Sequence, residues 1–328
     1  MGSVLRVGVG GLVVVVVAGC AAGESADTTG EVMRRADRVN PMVALQEQDQ
    51  PVFGLYAPRS RRRGGAPSQV VDVKTPAQLA DETTAYTRSD YVFVSSMEGG
   101  VERGLPAFIG RMRAMHATGA TAETHPFVVK MAKISDNPHA VAHIGQQLNA
   151  GVSGIMFVGV ETAEELQLGL DAMRFASQGG TRDDEVGWAP TYWEMTADEY
   201  RTNADLWPLN PDGALINWTI IESHAGLERV REIAAVPGIG VLWPGAGTLR
   251  RLFSSIGADG ERVVDTDAWE AAIQRVLSAC QEFNIACGYP ANASDVESRL
   301  AQGFSVFVMN WGDGGFETID IGRAAAGR

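Results

Sequence analysis

Apolar positions along the chain fall into two alternating patterns. One is a short, nearly unbroken apolar run, as in a strand buried on both faces. The other is a longer stretch with apolar residues three and four apart, the stripe of an amphipathic helix. Pro51–Tyr56 is the first short run, and the loop Ala57–Val70 follows it. A helix is expected over Thr75–Ala85, with Thr75 as N-cap and Pro76 at its first position. Tyr91–Ser95 is a second strand, Leu105–Thr118 a helix stopped by Gly119, and Phe127–Met131 a third strand. The helix His139–Asn149 ends before Gly151 and leads to a fourth strand, Gly154–Val158. In Ala163–Phe175 the apolar set Leu166, Leu168, Leu170, Met173 and Phe175 marks a further helix. A more polar segment, Ala176–Gly213, carries Trp188, Trp193 and Trp207 and one helix, Ala197–Leu206. Ala214–Ile221, broken only by Asn217 and Thr219, is strand five and runs into Glu222. Leu227, Val230 and Ile233 share one face of the helix Ala225–Ala235, which Pro237-Gly238 stops. Ile239–Trp243 is strand six and ends in Pro244-Gly245-Ala246-Gly247, a loop with little side chain. Asp267–Phe283, capped by Thr266 or Asp265, precedes strand seven, Ile285–Gly288. The helix Ala293–Gln302 precedes strand eight, Ser305–Asn310, and a last helical piece closes the chain.

Eight buried strands, each followed by a helix or long loop, imply parallel pairing with right-handed crossovers. Eight such units over residues 51–328 have the count and size of a single-domain (β/α)8 TIM barrel. An open doubly wound sheet is the competing architecture, but no G-x-G-x-x-G follows the first strand. The hydrophobic content of 45% suits a globular protein with a sizeable core, and 38 glycines suit many strand–loop–helix junctions. A formal charge of -13 sets the surface against nucleic acid.

The first twenty residues stand apart. Arg6 precedes the apolar run Val7–Ala18, which is short for a bilayer span. It ends in Val17-Ala18-Gly19-Cys20, similar to the lipobox of bacterial lipoproteins; an ordinary secretory signal or an upstream start-site error are the other readings. On the lipobox reading Cys20 is the lipidated N-terminus, the protein is exported, and its contact with membrane is through that cysteine. Residues 21–50 lack a sustained period and read as a tether, with Val43–Gln46 a short docking turn. Cys280 and Cys287 fall in a helix and a strand pattern, so two separate buried thiols are expected rather than a disulfide.

In a barrel of this kind catalytic groups sit where strands end. Arg59, Arg61, Arg62 and Arg63 follow strand one, Glu98 strand two, and Lys130 and Lys133 strand three. Glu161 follows strand four, Glu222 and His224 strand five, Tyr289 and Asn292 strand seven, and Asp313 strand eight. Carboxylates on neighbouring strands can converge on a hard divalent cation, with cationic side chains beside them for an anionic substrate. Each has a plainer reading: the arginines as a solvated loop, Glu98 and Glu161 as helix N-terminal acids, the lysines as exposed chains. His139 and His143 have i,i+4 spacing but no third ligand nearby, which favours a solvated helix face.

The segment IIESHAGLERVREIAAVPGIGVLW resembles the HpcH/HpaI aldolase and citrate lyase family, in which a ligand Glu ends strand five and V-x-G-V/I enters strand six. CGYPANASDVESRLAQGFSVFVMNWG resembles that family's seventh and eighth strands. PVFGLYA, PFVVK, LNAGVSGIMFVGVETAEEL and the turn Gly180-Thr181-Arg182 are similar to earlier segments. The resemblance implies a barrel that assembles as trimers or hexamers, often exchanging its last helix. It implies Mg2+ or Mn2+ held by the strand-five Glu and an Asp after strand six, chelated by a pyruvate-type 2-oxo acid. An Arg after strand three and an Asp–His pair at the mouth complete the family's machinery.

This chain departs at three of those places. Gly247 or Thr248 stands where the strand-six Asp is expected, the strand-two end Ser95-Ser96-Met97-Glu98 has neither Asp nor His, and Lys130 or Lys133 replaces the Arg. Two readings follow. The first is a metal-dependent aldolase-like carbon–carbon lyase for a small anionic 2-oxo acid. In it Glu222 and Glu161 are metal ligands, Lys130, Lys133 and Glu98 are catalytic, and Arg61, Arg182, Gly245 and Ala246 bind substrate. The second is a non-catalytic, lipid-anchored barrel that binds a small anion.

Overall fold

The structure is a computed structural model and describes residues 38–60 and 73–328. The signal-like stretch with Cys20, and Arg61, Arg62 and Arg63, lie outside the described residues. Eight parallel strands run in chain order as β1 (Val52–Tyr56), β2 (Tyr91–Val94), β3 (Phe127–Lys130), β4 (Gly154–Phe157), β5 (Leu215–Ile221), β6 (Val241–Pro244), β7 (Ala286–Tyr289) and β8 (Val306–Met309). Each pairs with the next, and β8 returns to β1, so the sheet closes as the expected (β/α)8 barrel. Closure leaves none of the eight with a free edge.

Strand parity divides the core in two. Ile216, Trp218 and Ile220 of β5 point into the barrel, while Leu215 and Ile221 face the helices. Tyr91 and Phe93 of β2, Val128 of β3, Val241 and Trp243 of β6, and Val306 and Val308 of β8 also point inward. Trp218 stacks on Trp243 with ring centroids 5.4 Å apart and on Phe93 at 5.9 Å, and Tyr91 meets it edge-on at 5.0 Å. Rings of this size fit because smaller residues face them. A Cβ at Gly54 would overlap the Tyr91 ring, and one at Gly288 the Trp243 ring.

The N-terminal end of the barrel is closed by a helix where the sequence pattern places a tether with a short docking turn at Val43–Gln46. Pro41–Glu47 is capped by the Asn40 side chain, which accepts from the Met42 N–H at 3.1 Å. It buries Met42 and Val43 completely, and Asn40 Nδ2 donates to the Ala214 carbonyl at 2.8 Å. Burying two such side chains is worth about 1.5–3 kcal/mol each, enough to dock a single helix. At the far end of the chain, the helix Asp313–Ala325 lies against β1 and β8 of its own barrel.

Three smaller differences follow local chemistry. The helix expected from Leu105 begins at Val101, because Gly100, at φ 127°, makes the sharp turn out of the β2 loop. The helix after β5 breaks at Arg229 into His224–Glu228 and Val230–Ala234. The small-residue loop after β6 is largely the start of a helix, Ala246–Leu252. Among the described residues no helix is long and apolar enough to cross a membrane.

Cys280 and Cys287 form a disulfide, contrary to the two free thiols expected. Cys280 lies near the end of the helix Thr266–Glu282, and the Ile285 N–H donates to its carbonyl at 2.9 Å, folding the chain straight back into β7. That turn brings the two Cα atoms to 5.6 Å across a separation of seven residues. Loop-closure entropy for so short a ring gives about 2.5 kcal/mol. Reduction with dithiothreitol is expected to lower the unfolding free energy by about that amount, and urea melts with and without reductant check it.

Candidate active site at the C-terminal mouth

The inward parity of the strands continues past their ends. On β5 it runs Ile216, Trp218, Ile220 and then Glu222, the first carboxylate above the aromatic layer. On β3 the residue after Val128 on the same face is Lys130, the last of the strand. On β1 it is Tyr56, and on β6, after Val241 and Trp243, it is Gly245. Counting by twos from Val52 was the signal in the sequence that could have marked Tyr56 as a mouth residue.

Two lysine–carboxylate pairs cross this rim. Lys130 Nζ lies 2.8 Å from Glu98 Oε1, its side chain 15% exposed and that of Glu98 44%. Lys133 Nζ donates to Glu161 Oε2 at 2.8 Å. The Lys133 hydrogen bond, followed by one from Ser223, holds the Glu161 carboxyl below the usual carboxylate range. Burial pulls the Lys133 ammonium down, but the hydrogen bond and charge of Glu161, with Glu165 and Asp136 behind it, outweigh burial and raise it. Glu165 braces the same corner, accepting from the Ser135 N–H and the Glu161 N–H, both at 3.0 Å. Burial first, and then the charge of Glu98, push the Tyr56 phenol up.

Glu222 sits between two glycines. A Cβ on Gly245 would collide with the Glu222 Cβ and come within 2.7 Å of its Oε2. Gly159, at φ 58°, faces the other side: a Cβ there would lie 3.8 Å from Glu222 Oε1 and 3.6 Å from Lys133 Cδ. Gly245 thus makes room for Glu222, and Ala246 begins the short helix behind it. Beside the ends of β1 and β2 a cavity of about 650 Å³ opens towards the helices Pro76–Thr84 and Val101–Ala117, with Tyr56, Arg59, Ser95, Ser96 and Arg111 in its lining.

Several expected site residues are placed elsewhere. Arg182 is at the opposite end of the barrel. The helix Ala163–Met173 carries the chain from the end of β4 back to its beginning, so residues that follow it lie at the N-terminal face. There Arg182 is 2% exposed, donates to Asn149 Oδ1 at 2.7 Å and lies 4.1 Å over the Phe175 ring. Tyr289 faces the helices, its hydroxyl accepting from Arg299 at 3.1 Å. His143 is buried on an outer helix, its Nδ1 3.0 Å from Asn137 Nδ2, instead of lying on a solvated face.

These residues do not fit the divalent ion that the family resemblance implies. The acids expected to converge are held by lysines, Glu98 by Lys130 and Glu161 by Lys133. The glycine at the expected strand-six ligand, Gly247, has open space around its Cβ position and no donor atom. Among the described residues no group of three His, Cys, Asp or Glu side chains is arranged to hold a metal.

No family model matches the chain. Its sequence is 26% identical over 262 residues to a hydroxypyruvate/pyruvate aldolase of Delftia acidovorans, covering 80% of this chain and 82% of that protein. It is 24% identical over 272 residues to a hydroxypyruvate/pyruvate aldolase of Paraburkholderia phytofirmans, covering 82% and 90%. In fold it is similar to an HpcH/HpaI aldolase/citrate lyase family protein of Burkholderia cenocepacia, with a TM-score of 0.61, 21% identity, and coverage of 83% and 92%. Along four fifths of its sequence the chain is thus similar to hydroxypyruvate/pyruvate aldolases, and its fold is the closed barrel of an HpcH/HpaI aldolase/citrate lyase family protein, in line with the family resemblance of its sequence.

Proposed function

We propose that the protein is an aldolase-type carbon–carbon lyase that cleaves or forms a bond next to the oxo group of a small, pyruvate-type 2-oxo acid. The observation that carries this reading is the pairing of Lys130 with Glu98 on the inward rim, with Glu222 two strands further on between two glycines. Breaking the bond leaves an enolate, whose charge needs a fixed cation, and releases an aldehyde, whose hydroxyl proton needs a base. Lys130 is the cation that follows β3 inward, and Glu222 is the carboxylate above the core with no lysine assigned to it. Lys133, held in its charged form by Glu161, suits the substrate carboxylate. β3 and β5 are separated by one strand, so the two groups stand roughly 10 Å apart at their backbones, room for a three-carbon acid.

Exchange of pyruvate methyl protons in D2O, followed by NMR, reports enolate formation without a known aldehyde partner. A panel of aldehydes with pyruvate and hydroxypyruvate then reports bond formation, run with chelator and with Mg2+ or Mn2+. Exchange above the buffer rate supports the reading, and its absence under every condition refutes it. Lys133→Ala removes one charge-assisted contact of about 1.5–3 kcal/mol. It is expected to raise KM for the 2-oxo acid about 10- to 100-fold with a smaller change in kcat.

The same proposal places the protein outside the cytoplasm. The Val17-Ala18-Gly19-Cys20 sequence and the Cys280–Cys287 disulfide both support an oxidising, exported location. Cys20→Ser is expected to move the protein from the membrane fraction to the soluble one, and an unchanged distribution contradicts a lipid anchor.

A further inference from the structure

We propose that the cavity beside β1 and β2 holds the aldehyde half of the substrate, and that this half is an apolar body the size of an aromatic ring, ending in a carboxylate that Arg111 binds. This rests on the aldolase reading above and deepens it by naming the class of the second substrate. The cavity is far larger than a three-carbon acid needs: its volume of about 650 Å³ lies in the range of about 300–1,000 Å³ that holds drug-sized ligands. It is also continuous with the mouth. Tyr56, the last inward residue of β1, lines it, and so does Phe93 of the aromatic layer, whose ring meets that of Tyr56 edge-on at 4.9 Å. Ser95 and Ser96, which follow β2, put only small hydroxyl side chains at this junction.

The walls divide by chemistry. Leu79, Val94 and Phe108 are buried and apolar, so they favour a ligand that brings apolar surface out of water. Arg111 is the exception. Its Nη2 donates to the Pro58 carbonyl at 2.9 Å, and among the described residues its buried Nη1 has no acceptor. Glu82, the acid whose charge reaches it, is engaged by Lys74 and by the Trp311 indole N–H at 2.9 Å. A guanidinium stays charged, so a donor in an apolar wall without an acceptor carries a cost that an entering carboxylate removes. Arg59, one residue past Pro58 and exposed, adds a second positive charge at the rim. The spacing fits as well. Pro58 follows Tyr56 by two residues, at most about 7 Å of chain, so the guanidinium held at Pro58 lies on the order of 10 Å from the mouth. A benzene ring with a formyl group at one end and a carboxylate at the other spans such a gap. Aldol addition of pyruvate to that aldehyde gives a 4-hydroxy-2-oxo acid as the sole product, and cleavage returns the two.

Steady-state kinetics of the full-length protein with pyruvate and three aldehydes tests this: 4-formylbenzoate, benzaldehyde and glycolaldehyde. The assays are run with chelator and with Mg2+ or Mn2+, and pyruvate proton exchange is measured on the same preparation. The expected kcat/KM for 4-formylbenzoate is about 10- to 100-fold above that for benzaldehyde, the range of one charge-assisted hydrogen bond, with benzaldehyde preferred in turn to glycolaldehyde. In Arg111→Met the preference for the carboxylate collapses, and Arg111→Lys restores part of it. Each ratio is taken within one preparation, so it does not depend on how much of a variant folds. Proton exchange without turnover of 4-formylbenzoate, with glycolaldehyde as the best acceptor, or with a carboxylate preference that is missing or survives Arg111→Met, overturns the cavity assignment and leaves the aldolase reading standing. Absence of exchange under every condition overturns both.

Discussion

Glu222→Gln is expected to slow pyruvate proton exchange and aldol turnover by about 10²- to 10⁴-fold, the range for losing a positioned general base. The substitution is close to isosteric, so the side chain keeps its slot between Gly159 and Gly245 and little else moves. What it removes is the ability to accept a proton. The inward ladder of β5 makes the assignment specific, since Ile216, Trp218 and Ile220 below it carry no titratable group. On the proposed reading the effect falls on kcat, because Lys133 and not Glu222 holds the carboxylate of the 2-oxo acid. A Glu222→Gln enzyme that folds, binds pyruvate and turns over at the normal rate would remove Glu222 from the mechanism. A second variant separates chemistry from geometry: Gly245→Ala keeps the carboxylate but drives a methyl into it. Measuring kcat and KM for both shows whether charge or position is lost.

The strands of the barrel were legible because each is buried on both faces, which leaves nearly unbroken apolar runs such as Val92–Val94 and Val306–Met309. The position of Lys130 was also within reach, since Val128 and Lys130 share a face two residues apart. Its partner was not. Glu98 and Lys130 are far apart in sequence, and no local pattern records which of several rim acids a lysine will meet. For this reason a set of strand-end carboxylates reads as a metal site from sequence, whereas the fold distributes those acids over two lysines. Arg182 misleads in the opposite way: its turn is family-like, but the helix before it has already carried the chain to the far end of the barrel. Of the Pro41–Glu47 helix only a docking turn at Val43–Gln46 is legible, because its fully buried content is two residues in a polar stretch, and only the barrel end they cover makes them a core. The disulfide depends on a turn closed by a backbone hydrogen bond at Cys280, which separate helix and strand assignments do not show.

The largest stability effect is expected at the end of the barrel away from this chemistry. Asp205 has a side chain 2% exposed and receives a two-point contact from Arg174, with Nε at 2.6 Å and Nη2 at 3.0 Å. It also accepts from Asn210 Nδ2 at 2.9 Å and from the Leu206 N–H at 2.8 Å. Together these tie the chain after the helix Ala163–Met173 to the segment that enters β5. Asp205→Ala leaves the Arg174 guanidinium, the Asn210 amide and a backbone N–H without their acceptor. Breaking one partner of a buried pair costs about 3–5 kcal/mol, a large part of the stability of an ordinary domain. The pH dependence supplies an independent check. Burial alone would raise the Asp205 carboxyl, but Arg174, Asn210 and the Leu206 N–H outweigh it and hold it below the usual carboxylate range. A carboxyl lowered by folding contributes stability that is complete above its unfolded pKa of about 3.9 and is lost as pH falls through the lower folded value. The gap between the unmodified protein and Asp205→Ala is therefore expected to be full at neutral pH and to narrow below about pH 4. Urea melts of both proteins at neutral pH and at pH 3 measure it. A gap that stays constant between the two would mean that the cost comes from lost packing and not from the buried carboxylate. Because Glu222, Lys130 and Glu98 lie at the other end of the barrel, the folded fraction of Asp205→Ala is expected to retain full exchange activity, which separates a scaffold residue from a catalytic one.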